Sequence, residues 1–372
     1  MSTFVTDKTL YQIALTHITG VGVALTRNLM QSVGDEEQIF KEPARNLEKI
    51  QGISYRLINE IKSSEVLRKA EEELAFVTKN NLEILFFTAP EYPERLTHCV
   101  DAPILLYVKG NSYLNHKKIV SIVGTRNATP QGYEACKQFV KDLSTKFSDI
   151  LVVSGLAYGI DICAHRAALE YGVPTVAVLA HGLDRIYPAL HRKTAIDMLD
   201  AGALVTEFPS GTEPERFNFV RRNRIVAGLA DAVVVMESSS KGGSLITADI
   251  ANSYYREVFA VPGRVTDAAS IGCNKLIASN QAILMQDINI FTDHMGWDDS
   301  KKPQQPKQKE LFLQLSEDEE LVFNALNNME PKHVNMLAIE LDTPVSELFF
   351  TLLELEMKNV VKPLPGGVYK LL

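Results

Sequence analysis

The sequence predicts an α/β protein: an extended Rossmann-like, doubly wound and mostly parallel sheet, with a helical domain before it and a second small domain after it. Three observations carry this. At 372 residues the chain is too long for one core. Short β-rich runs alternate with helical stretches, at 119–123, 150–154, 175–180, 203–207, 232–236 and 257–261. Runs as uniformly apolar as Ile150-Leu151-Val152-Val153 and Ala232-Val233-Val234-Val235-Met236 suit strands covered by helices on both faces.

The N-terminal segment, 1–80, reads as helical. Ile18-Thr19-Gly20-Val21-Gly22 interrupts two helical patterns, and Ile50-Gln51-Gly52-Ile53-Ser54 repeats the arrangement about thirty residues later. These look like paired helix-hairpin-helix units of a SAM-like domain. Their glycines would free helix N–H groups to hold a phosphate, or simply form tight helix connections. Both readings stand, since Ser54 replaces the second glycine. The sheet domain is expected over 81–292, beginning with the apolar run Leu82 to Phe87.

A linker is expected over 293–310, because Gly296 to Glu310 replaces core residues with Pro, Gln and Lys. The last domain, 311–372, has helical stretches near 317–327, 333–341 and 344–357, then a hairpin about Pro365-Gly366-Gly367. That order resembles a small winged helix. Its candidate recognition segment, Pro344 to Phe350, has no base, and the domain carries ten acids against four bases. A protein-contact or regulatory role is therefore expected rather than duplex binding.

Composition excludes several classes. No apolar run approaches the twenty residues a bilayer needs, and the N-terminus lacks an export pattern, so a cytoplasmic protein is expected. Cys99, Cys136, Cys163 and Cys273 form no CxxC pair and read as small core hydrophobes. His165 and His181 belong to no metal-like cluster and read as packing residues. The net charge of −8 argues against a general basic coat for nucleic acid.

Function is sought at the turns beyond the carboxyl ends of the strands, where open α/β sheets bind ligands. The first turn is Gly124-Thr125-Arg126, a close-approach glycine, a hydroxyl and a guanidinium fork suited to phosphate or base. The second runs from Ser154 and Gly155 to Gly159 and Asp161, an anion cradle in which Asp161 caps the helix or orients Arg126. The stretch Arg216 to Arg224, expected to precede a helix at Ile225 to Leu229, interleaves four arginines with two phenylalanines. Phe219, Arg221, Arg222, Asn223 and Arg224 suit a single nucleic-acid strand, with rings to stack on bases and guanidinium groups to hold phosphates. The fifth strand delivers Lys241-Gly242-Gly243-Ser244 at another helix start. There is no GxGxxG and no GxxxxGK[ST], so NAD binding and ATP-driven work are disfavoured. No nucleophile and base pair stands out, so a long anionic ligand, bound without catalysis, metal or cofactor, is expected.

In order, VGTRNATPQGYE, VVSGLAYGIDICAHRAAL, HGLDRIYP, FVRRNRIVAGLADAVVVMES, KGGSLITA and the stretch from VPGR to GCNKLIASNQA closely resemble the DNA-processing protein A (DprA or Smf) family, from about Pro90 to Asp287. Gly124 to Arg126 match its G-[ST]-R turn, Ser154 and Gly155 its S-G turn, Arg222 to Arg224 its R-N-R segment. Lys241 to Ser244 match its S-G-S-L-x-T-A region, with Lys-Gly-Gly in place of a more usual Ser-Gly. The resemblance implies a non-enzymatic, cytoplasmic homodimer, joined through the Rossmann-like domain, that binds incoming single-stranded DNA during natural transformation and loads the recombinase RecA. The rival is a lysine-decarboxylase-like nucleotide phosphoribohydrolase, whose GGxGTxxE turn is similar. Here Leu245 and Ile246 stand for its second glycine and threonine, and Asp249 for its glutamate.

Overall fold

A computed structural model describes residues 7–111, 113–297, 315–326 and 330–372. Among the described residues six helices come first: α1 (Asp7–Thr16), α2 (Val23–Val33), α3 (Glu36–Lys41), α4 (Ala44–Leu47), α5 (Tyr55–Ile61) and α6 (Ser64–Lys79). The two hairpin turns before α2 and α5 hold Gly20 at φ +84° and Gly52 at φ +86°, a conformation that costs a glycine little. Ser54 caps α5 by accepting from the Leu57 N–H, whereas Gly22 leaves α2 without a side-chain cap.

The middle of the chain alternates strand and helix: β1 (Glu83–Phe86), α7 (Glu94–Thr97), β2 (Leu105–Gly110), β3 (Lys118–Val123), α8 (Pro130–Lys146), β4 (Ile150–Ser154), α9 (Ile160–Glu170) and β5 (Thr175–Val178). A 3₁₀ turn at Ala189–His191 leads into α10 (Arg192–Asp197), then β6 (Ala203–Thr206), α11 (Arg216–Leu229), β7 (Ala232–Val235), α12 (Gly243–Ser253), β8 (Glu257–Ala260), α13 (Ile271–Ala278), β9 (Ile283–Leu284) and α14 (Ile288–Met295). The nine strands run in the order β1-β2-β6-β5-β4-β3-β7-β8-β9. From β6 to β9 every pairing is parallel; only β2, paired with β1 and β6, runs against the rest. The order reverses between β3 and β7, which opens a crevice beyond their carboxyl ends.

Alternation explains the two-sided core. Ile119, Val123, Leu151, Val153, Val233 and Val235 face one layer, with α11 and α12; Val120, Ile122, Val152 and Val234 face the other, with α8, α9 and α14. Cys99, Cys136 and Cys273 are buried as expected, but Cys163 is partly exposed on α9. Helix α14 runs to Met295, past the expected domain end at 292, before a left-handed Gly296. Most of the expected linker, from 298 on, lies outside the described residues.

The C-terminal unit comprises α15 (Glu317–Leu326), β10 (Lys332–His333), α16 (Val334–Glu340), α17 (Val345–Met357), β11 (Val361–Leu364) and β12 (Val368–Leu371). Three strands in the order β10-β12-β11 form the wing, turned by Gly366 and Gly367 at positive φ. This unit meets the sheet domain at the end opposite the crevice. Asn335 donates to the His98 carbonyl at 2.9 Å, His98 and His333 stack with ring centroids 4.4 Å apart, and Phe349 packs on Tyr255, just before β8.

That contact is expected to weaken as pH falls. Burial, aided by Arg256 and Arg95, pulls His98 down to about 4; burial, then His98 and Arg256, pulls His333 down to about 3. Both rings are neutral in the fold, while the unfolded chain takes up protons from the ordinary value of 6.5 downward. Their contribution is therefore full above 6.5 and is lost as pH falls toward the folded values. Amide exchange at 333–335 is expected to quicken relative to the sheet core between pH 7.5 and 5, less so in His98→Phe. Equal relative protection at the two pH values would contradict this.

Candidate nucleic-acid interface

The crevice at the switch point is a cleft of about 640 Å³. Its walls come from the turns after β3, β4 and β7, the first turns of α9 and α12, and one face of α11. After β3, Gly124 packs so tightly that an added Cβ would lie 2.5 Å from Ile160 Cγ1. Thr125 donates its N–H to the Glu237 carbonyl at 2.7 Å, and its own carbonyl accepts from Ile160. Gly159, at φ +75°, allows that approach, because a Cβ there would meet the Thr125 oxygen at 2.1 Å. The β3 and β4 turns thus lock together, and Arg126 projects from them into solvent.

The floor is a buried cation. Arg222, 5% exposed, donates from Nη1 to the Val178 carbonyl at 3.0 Å. Its Nη2 lies 3.9 Å from Asp161 Oδ2, and Nε has no partner among the described residues. Asp161 sits inside α9 rather than capping it, accepts from the Ala157 N–H at 3.3 Å, and faces Arg222 rather than Arg126. Burial pushes the Asp161 carboxyl up and the Arg222 guanidinium down, each opposed by the other's charge. Their attraction does not offset the loss of water around both; arginine stays charged on its own account, and its Nε leaves donor capacity unspent. An anion entering the cleft would supply the missing acceptor.

Gly155 makes room for this floor. A Cβ there would lie 1.7 Å from Arg222 Nη1 and 2.3 Å from Asp161 Oδ2. Its carbonyl accepts from buried His165 Nε2 at 2.5 Å, and burial pulls that imidazole down to about 4. His165 therefore positions the turn as a neutral donor. His181, also buried, donates to the Gly182 carbonyl and accepts from the Tyr187 N–H.

The far wall is aromatic and basic. The Arg126 guanidinium lies over the Phe219 ring, 4.9 Å from its centroid, and Tyr187 meets the same ring edge-on at 6.0 Å. Exposed Lys241 stands opposite, before Gly242 and Gly243, where α12 begins with no side-chain cap and no acid in its first turn. Asn223 donates to the Gly243 carbonyl at 3.5 Å. Four basic side chains, Arg126, Arg216, Arg222 and Lys241, line the cleft against one acid, Asp161.

Not every expected residue arrives there. Gly124, Thr125, Arg126, Gly155, Phe219, Arg222, Asn223, Lys241, Gly242, Gly243 and Ser244 line it; Ser154, Arg221 and Arg224 do not. Ser154 is fully buried and donates to the Ile122 carbonyl at 2.6 Å, which ties β4 to β3. Ser244 is buried too, its hydroxyl turned to Ser238. Arg216 to Arg224 do not precede a helix but form α11 itself. At 100° per residue, Arg216, Phe219, Arg222 and Asn223 share its cleft face, while Arg221 and Arg224 fall on the other. There both pair with buried Glu207, Arg221 at 2.8 Å, and they line a separate groove beside the Gly20-Val21-Gly22 hairpin. Arg216, in the basic stretch but outside the expected site set, is the cleft's further cation. Its signal, the i, i+3, i+7 spacing with Phe219 and Asn223, appears only if the helix starts at 216.

The turn that the phosphoribohydrolase reading depends on is equally informative. Ile246 occupies the wall where a hydroxyl would be needed, and Asp249 is exposed outside the cleft.

Fold and cleft together define an α/β protein with a basic cleft at a Rossmann-type switch point. The chain belongs to the DNA recombination-mediator protein A family, whose model matches residues 83–296; a DprA winged helix domain matches 302–367. It is 33% identical to protein Smf of Escherichia coli K12 over 312 residues, 82% of this chain and 81% of the relative. It is 38% identical to the DNA processing protein DprA of Streptococcus pneumoniae over 202 residues, 54% and 71% of the two chains. The X-ray structure of the S. pneumoniae protein aligns at TM-score 0.60 and 30% identity, covering 78% of this chain and 98% of that one. A Helicobacter pylori DNA processing protein A, from a study of its single-stranded DNA binding mode, aligns at TM-score 0.53 and 28% identity, covering 58% and 96%. Family membership assigns the chain a DNA-processing, recombination-mediator role.

Proposed function

We propose that the chain holds single-stranded DNA in this cleft, mainly by its backbone, without cleaving it, and passes it to the recombinase RecA. One observation carries the reading: a buried guanidinium with an unspent donor, Arg222, at the floor of a cleft with four bases and one acid. Phosphates satisfy that floor and the exposed Arg126 and Lys241. Phe219 offers a face for an unpaired base, a contact worth about 1–3 kcal/mol and indifferent to base identity. A duplex keeps its bases stacked inside and cannot use it. The chain acts as a homodimer through the Rossmann-like domain, setting two clefts side by side so that a second contact on the same strand gains from effective concentration.

The test is anisotropy with labelled oligonucleotides of several unrelated sequences, single-stranded and duplex, across salt. Single strands are expected to bind at least tenfold tighter than duplex, alike for every sequence. With four cations engaged, log K should fall against log salt with a slope of about −3. The strand should be recovered at full length. A duplex preference, or a flat salt response, contradicts the proposal.

A further inference from the structure

The winged helix carries an apolar patch that neither its own core nor the cleft uses. Helix α17 buries Leu348, Leu352 and Leu355. At 100° per residue, Phe350, Leu353 and Met357 form a second stripe roughly opposite that one, 73%, 54% and 77% exposed. Glu347 and Glu354 border the stripe on one side and Glu356 on the other, and α17 contains no base. Exposed large side chains at i, i+3 and i+7 with a charged border on each side have the layout of a helix-docking surface.

We propose that this stripe docks a basic amphipathic helix of another protein, one with an aliphatic face flanked on both sides by lysine or arginine. Charge selects the occupant. A second copy would set the same glutamates against themselves, and like charges across an interface are unfavourable. The phosphates of duplex DNA or of an anionic bilayer meet the same repulsion, strengthened by the domain's ten acids to four bases. The position also fits. The winged helix meets the sheet domain through His333, Asn335 and Phe349, at the end of the sheet opposite the cleft; Phe349 lies beside the Glu356 edge of the stripe, and Phe350, Leu353 and Met357 stay exposed next to that contact. A partner held here would ride on the protein without displacing its DNA.

The experiment uses the full chain and a labelled 18-residue peptide of leucine and lysine, with the leucines in one helical stripe, beside a counterpart carrying glutamate for lysine. The lysine peptide is expected to bind in the micromolar range and the glutamate peptide not at all. Leu353→Lys and Phe350→Ser, both at exposed positions, should each weaken binding at least tenfold, with single-stranded DNA affinity unchanged. Variants that bind the lysine peptide within twofold of wild type would overturn the proposal, since attraction would then be to acids in general. So would self-association of the wild-type chain that Leu353→Lys abolishes, or capture by anionic vesicles.

Discussion

Gly155→Ala is expected to remove most single-stranded DNA binding and to destabilise the fold, although it adds a single methyl. The methyl would occupy the space of Arg222 Nη1, 1.7 Å away, and crowd Asp161 Oδ2. Neither neighbour can yield cheaply. Arg222 is anchored to the Val178 carbonyl, Asp161 to the Ala157 N–H, and both are buried. Overpacking a core costs about 1–3 kcal/mol, and parting a buried pair about 3–5, so a loss of about 3 kcal/mol in urea unfolding is expected. Displacing the floor guanidinium should weaken binding by about a hundredfold, tenfold for each 1.4 kcal/mol. Gly243→Ala is the control, since a Cβ there meets nothing within 4 Å and the backbone is not left-handed. It should leave stability within about 0.5 kcal/mol of wild type. Equal effects from the two glycines would show that the floor is not set by Arg222.

The second large effect separates arginines by the face of α11 they occupy rather than by their place in a basic run. Arg126→Ala removes an exposed guanidinium from the cleft and the cation from the Phe219 ring, 4.9 Å away. Charge-assisted contacts to phosphate are worth about 1.5–3 kcal/mol, so affinity should fall between ten- and a hundredfold, alike for unrelated sequences. Arg221→Ala acts elsewhere. Its guanidinium lies on the opposite face, 2.8 Å from Glu207, which Arg224 continues to neutralise. Binding should change by less than twofold. Composition alone gives the reverse ranking, because Arg221 sits inside the densest cluster of positive charge and Arg126 stands alone.

That contrast marks how far the sequence is readable. The six expected strands fall within about two residues of their observed bounds because β-branched, mostly apolar runs have few alternatives in a sheet covered on both sides. Leu105–Gly110 carries no such signal, since it breaks the strand-helix alternation: no helix connects it to a parallel neighbour, and it pairs against β1 and β6. Ile283–Leu284 is too short to announce itself. At the site, the glycine turns were legible because a sharp turn at a helix start demands glycine. The arginine run was not, because six polar or charged residues among its nine hide the helical period that begins at Arg216. Once that period is known, the run divides into a cleft face and a Glu207 face. Ser154 misled for another reason: a hydroxyl at a strand end reads as a ligand contact, yet here it serves the neighbouring strand. Nothing local in sequence distinguishes the two.

Salt titration of single-strand binding, run in parallel on wild type, Arg126→Ala and Arg221→Ala, tests the account most directly. Each phosphate contact contributes about 0.7 to the slope of log K against log salt on a single strand. Arg126→Ala should flatten the slope by about that amount, and Arg221→Ala should leave it unchanged. Equal flattening by both variants, or none by Arg126→Ala, would mean that the strand follows the basic run of the chain and not the cleft at the switch point.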